Sequence, residues 1–205
     1  MQKKVLNYFK IDNAPGGNQD WLPDWDMNKG GCGAVTACDV CINLAKYFPE
    51  LYPFDLNNLS REDFIKFTNV MKPFLTPRYH GIDLLEIYIN GFSDYLKSVN
   101  NTSLKIQGLA GTVNYKLAEK YIISQINSGI PVPFLLLRHE NPEFEDFEWH
   151  WFNLSGYEIL DDDLKVQTVT YGEELWVSLK ELWDSGQTRK GGIIKIFNTC
   201  DNNKI

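Results

Sequence analysis

Residues 28–48 read "NKGGCGAVTACDVCINLAKYF": three glycines surround one cysteine, and small and apolar residues follow at once. Ala34, Ala37, Cys38, Cys41, Leu44 and Phe48 recur at helical spacing, and "PELYP" closes the run with prolines. A helix is therefore predicted from Ala34 to Phe48, with Cys32 just ahead of its first turn. At that place unpaired backbone N–H groups and the positive end of the helix dipole favour a thiolate over a thiol. Gly30, Gly31 and Gly33 let the main chain turn sharply and leave room for a substrate to approach the sulfur. A nucleophile needs both conditions, whereas a crowded loop-to-helix junction without chemistry would use the same residues.

Working outward, "SREDFIKFTNVM" opens on a capping serine with acids in its first turn, and "GIDLLEIYINGFSDYLKSV" repeats the apolar spacing, so two further helices follow. "SLKIQGL" reads as a strand, "NYKLAEKYIISQINSG" as a helix closed by Gly129, and "IPVPFLLLR" as a buried strand. After Pro142 the pattern becomes almost purely β: "FEWHWFNLSGYEI", a turn at "LDDD", then "LKVQTVTY", "LWVSL" and "GGIIKIFN". Leading helices and trailing antiparallel strands define an α+β fold, a helical half packed on an antiparallel sheet with a cleft between them. No repeat or linker divides residues 1–205, so one domain is expected, with residues 50–110 as a helical region of its own.

The formal charge of -7 supplies no basic footprint for phosphate backbones, which argues against nucleic acid as a partner. No apolar run reaches the ~20 residues of a membrane span or the shorter core of an export signal, so a cytoplasmic setting is expected. Four cysteines, three of them within ten positions, make no disulfide scaffold. Cys38 and Cys41 lack both a second C-x-x-C and a spaced histidine pair for zinc, and Cys38 lies too far into the helix for a redox dithiol. They read as small core residues, and neither a metal nor a cofactor is required.

Of the three histidines, His80 lies in a loop and His139 ends a strand beside "ENPEFEDFE", whereas His150 belongs to "FEWHWFNLSGYE". Alternation places Trp149 and Trp151 on one face of that strand and His150, Phe152 and Leu154 on the other. A strand holds an imidazole more rigidly than a loop does, which makes His150 the candidate base for Cys32. A buried, hydrogen-bonded core histidine is the competing reading. Glu140, Glu143, Glu145, Asp146 and Glu148 precede it, read either as a solvated acidic loop or as a preference for basic substrates.

The segment Gly31-Cys32-Gly33-Ala34-Val35-Thr36-Ala37 resembles the nucleophile segment of the C39-like peptidases, a branch of the papain-like cysteine proteases. The later order "SGIPVPFLLL", "HWFNLSGYE", "VQTVTYGEELWVSLKELW" and "GGIIKIF" is similar to that family's second half. The resemblance implies a papain-like fold, Cys32 as nucleophile, His150 as general base and acid, and a peptide or amide substrate. It also implies an oxyanion donor upstream, for which Gln19 is the match and Asn18 and Asn28 are weaker substitutes. The third catalytic residue departs from the pattern: where the family carries Asp or Asn, Thr170 stands nearest, with Asp161, Asp162 and Asp163 as other candidates. Asn153 is disfavoured, because three positions along a strand it faces away from His150. An acyltransferase, a catalytically inactive papain-like binding domain, or a thiol sensor that pairs Cys32 or Cys38 on oxidation are the alternative functions.

Overall fold

The computed structural model describes residues 2–160 and 163–199. The chain opens with β1 (Gln2–Val5) and a short hairpin of β2 (Lys10–Ile11) and β3 (Ala14–Pro15). Two helices follow almost without a break, α1 (Trp25–Gly30) and α2 (Cys32–Leu44), joined at Gly31. α1 exists because Asp24 caps it, its side chain accepting from the Met27 N–H. Ser60 caps α3 (Arg61–Met71) in the same way, as its sequence signal predicted, and α4 (Leu85–Ser98) lies within the run read as helical. Next come β4 (Leu104–Ala110), α5 (Tyr115–Asn127) and β5 (Val132–Leu136), followed by β6 (His150–Leu160), β7 (Asp163–Thr170) and β8 (Glu173–Ser178). The chain then forms α6 (Leu179–Trp183) and β9 (Gly192–Asn198). The strand expected at "LWVSL" ends at Ser178, whose hydroxyl accepts from the Glu181 N–H and starts α6.

One sheet takes seven of these strands in the order β4-β9-β5-β6-β7-β8, with β1 also pairing on β6, and all its pairings are antiparallel. Alternation along β6 divides the interior into two layers. Trp151 packs towards α2, α3 and α4, while Phe152 and Leu154 pack with α5 and α6. On β5 the same rule sends Leu135 to the first layer and Phe134 and Leu136 to the second. The architecture is thus α+β around an antiparallel sheet, but its halves are less segregated than the element order implies. β1 and β4 come from the leading half, and α5 and α6 cover the sheet from within the trailing one. Residues 50–110 hold α3 and α4, yet the segment ends in the sheet through β4.

The first long helix starts two residues earlier than predicted and ends at Leu44, so Cys32 is its first residue. It is buried nearly all round, not along one stripe, because the sheet covers one side and α3 another. Cys38 and Cys41 sit fully buried within it, and Cys32, Cys38 and Cys41 are all free thiols. Trp149 is not on the strand: its backbone has φ 53°, its N–H donates to Leu137 O, and β6 begins only at His150. Among the described residues no helix is long and apolar enough to cross a membrane.

Candidate active site

Gln19, Cys32, His150 and Thr170 line one small internal pocket at the point where the start of α2, the start of β6 and the end of β7 meet. Four residues separated widely in sequence are thereby brought together. Cys32 is only 6% exposed. Burial pushes its thiol up from the ordinary range, against opposing hydrogen bonds from the backbone of Trp151 and Gly33. The helix N-terminus is present as expected, but desolvation is the larger effect and the resting group is a thiol. The glycines serve packing more than turning. A Cβ on Gly31 would lie 2.3 Å from Met27 O, and one on Gly33 would lie 3.0 Å from Ile82 Cδ1.

His150 Nε2 lies 2.6 Å from Thr170 Oγ1, which makes Thr170 the ring's partner among the candidates for that place. Burial pushes the imidazole down to about 4, so the ring is neutral at pH 7. Asp163 is excluded: it lies at the opposite end of β7 from Thr170 and accepts from Ser178 Oγ. Asp161 and Asp162 lie outside the described residues, as does Cys200. Asn153 turns towards α2, as alternation requires, and its Nδ2 donates to Tyr8 Oη and Thr36 O.

Gln19 begins a 3-10 turn, Gln19–Trp21, capped by Asn18. Its Nε2 donates to Asn28 O at 2.7 Å, and its Oε1 is buried without a protein partner. Asn18 Nδ2 donates to Tyr171 O and ties this turn to the β7–β8 hairpin, while Asn28 braces it from α1. Asn18 and Asn28 are thus supports for Gln19. His139 is held by Asn141 N and Glu181 O, away from the pocket, and His80 stacks on Trp149.

Two contributors escaped the sequence reading. Tyr171 lies parallel to the His150 ring, 9° between planes and 4.9 Å between centroids. It occupies the first place of a two-residue hairpin turn at φ 51°, followed by Gly172 at φ 79°. That turn favours Asn-Gly, and a tyrosine there is strained. The dipeptide Tyr-Gly between two strands was the available signal. The second is Asp39, buried on α2, which accepts from Gly17 N at 3.0 Å and from Tyr8 Oη at 3.1 Å. Burial raises its carboxyl to about 7. Asp39 fixes the backbone two residues ahead of Gln19.

Outside the pocket a cleft of about 910 Å³ opens over Cys32 and His150. Its volume lies within the roughly 300–1,000 Å³ usual for small-molecule sites. Asp146 and Glu148 border it, while Glu140, Glu143 and Glu145 are exposed and do not line it. No protein-family profile matches the chain, and neither does any curated protein or solved structure.

Proposed function

We propose that the protein is a papain-like cysteine peptidase or amidase, working through a thioester on Cys32. The observation that carries this reading is the convergence of Cys32, His150, Gln19 and Thr170 on one small pocket, the first three of them also lining the open cleft. With Nε2–H donating to Thr170 Oγ1, Nδ1 holds the lone pair and serves as general base. The directions of the two titrations indicate a neutral thiol and a neutral imidazole, so the proton moves as the substrate is attacked and not beforehand.

Cys32 Sγ bonds to the carbonyl carbon while its proton passes to His150. The same proton then goes to the leaving nitrogen as the C–N bond breaks. Water attacks the thioester carbon while His150 takes its proton; the C–S bond then breaks, the proton passes from His150 to Cys32 Sγ, and the free thiol is regenerated as a carboxylic acid leaves. The Cys32 N–H and one N–H of Gln19 are the donors for the oxyanion. Thr170 orients the imidazole but adds no charge, which leaves the imidazolium less stabilised than a carboxylate would.

Incubation with an activated acyl ester, followed by intact-mass spectrometry and peptide mapping, tests the reading. An acyl adduct on Cys32, absent in Cys32→Ala and formed more slowly in His150→Ala, is expected. Acylation spread over other nucleophiles, or unaffected by His150, would overturn it and leave a non-catalytic cleft that binds its ligand.

A further inference from the structure

The large aromatic side chains that are exposed are not scattered over the surface. Trp25, Tyr79, Trp149 and Tyr171 all line the cleft above Cys32, and among the described residues Tyr47 is the one other strongly exposed aromatic. Rings left in water in a cluster mark a binding surface, since each would otherwise gain from burial. Two of the four are already engaged. Tyr171 stacks on His150, and Trp149 carries His80 on its ring with the guanidinium groups of Arg138 and Arg189 within 5.7 and 5.5 Å. Trp25 and Tyr79 are 72% and 97% exposed. Among the described residues Trp25 has no ring stacked on it and no cation over it, and Tyr79 meets only the edge of His80.

Charge in the cleft does not select a charged ligand. Lys29, Arg78 and Arg138 are matched by Asp26, Asp146 and Glu148 along its wall, and Arg78 is already paired with Asp83 at 3.1 Å. An acidic ligand would meet three carboxylates, and a basic one three cations. Flat, uncharged surface is what remains to be recognised.

We propose that the substrate carries a neutral aromatic group beside its scissile amide, held in the cleft by Trp25 and Tyr79 while Cys32 attacks. This deepens the peptidase or amidase reading and rests on it. Trp25 and Tyr79 are specificity residues, touching the aromatic group and not the reacting atoms.

The test compares three alkylating agents on Cys32: iodoacetamide, N-phenyliodoacetamide, and an iodoacetamide bearing a trimethylammonium group. Each rate is normalised to that with glutathione and followed by mass spectrometry in the native protein, Trp25→Ala and Tyr79→Ala. The phenyl reagent should react with saturation and a clear advantage over iodoacetamide. That advantage should fall in each variant by roughly tenfold, the order expected for one ring–ring contact. Iodoacetamide carries no ring for Trp25 or Tyr79 to hold, so its rate in each protein is the reference against which the phenyl advantage is read. Equal normalised rates in all three proteins, or a larger advantage for the cationic reagent, would overturn the proposal. Failure of the catalytic reading shows separately, as an iodoacetamide rate indifferent to His150→Ala. In that event, binding of N-phenylacetamide to Cys32→Ser, followed by tryptophan fluorescence, decides the aromatic preference: binding lost in Trp25→Ala supports it, and no binding overturns it.

Discussion

The two layers of the interior are built to different rules. Between the sheet and α5–α6, Phe134, Phe152, Leu154 and Trp183 form an apolar layer, and the buried amide there, Gln125, is closed by Ile196 N at 2.7 Å. Between the sheet and α2 the core instead surrounds Gln19, Asp39 and Asn153, and both Gln19 Oε1 and Asn153 Oδ1 are buried without a protein partner. An unpartnered buried acceptor costs about 1–3 kcal/mol. The layer under α5 and α6 holds the sheet together, and the layer under α2 gives up stability to keep polar groups beside Cys32.

Substitutions that exchange the roles of the layers would break this contrast. The largest effect is expected from Trp183→Ala, which removes a buried ring set edge-on to Phe134 at 5.9 Å and should cost about 3–5 kcal/mol in urea unfolding. Cys32 alkylation, measured well below the unfolding midpoint, should hardly change. A smaller loss than for an exposed site such as Leu175→Ala would sink the structural assignment of that layer.

Asp39→Asn comes next. A carboxyl at about 7 in the folded protein and about 3.9 unfolded holds its proton more tightly when folded. Its favourable contribution is complete below pH ~4 and is lost as pH rises to ~7, a change on the order of 3–4 kcal/mol by linkage. The native melting temperature should therefore fall between pH 5 and pH 8, and the variant should flatten that slope. A slope that survives the substitution would assign it to another group.

His150→Ala should slow Cys32 alkylation at pH 7 by on the order of 100-fold, the low end of general-base contributions, with little change in stability. Thr170→Val is the mildest: losing one hydroxyl 2.6 Å from the ring should lower the rate about five- to tenfold, the equivalent of one hydrogen bond. A threonine variant as slow as His150→Ala would mean that Thr170 does more than orient the imidazole.

How much of this could be read beforehand follows the same division. Trp151 and Phe152 declare their opposite faces by alternation alone, and Ser60 announces α3, because both signals are local. Cys32, His150, Gln19 and Thr170 were legible only through short motifs set in order along the chain. Asp39 was not legible: its partners, Tyr8 and Gly17, come from a segment more than twenty residues earlier. Nor was the pairing of β1 on β6, which joins Gln2 to Ile159. The thiolate expected at Cys32 failed for an allied reason, because a helix terminus shows in sequence and the depth of its burial does not.

The most direct measurement is the pH dependence of Cys32 alkylation by iodoacetamide in the native protein and in His150→Ala. With a neutral imidazole as base, the native rate should stay high through neutral pH and fall only as the ring takes its proton near pH 4, a limb absent from the variant. A rate that rises only towards the free-thiol range near pH 8.5, and does so equally in both proteins, would contradict the pairing of Cys32 with His150.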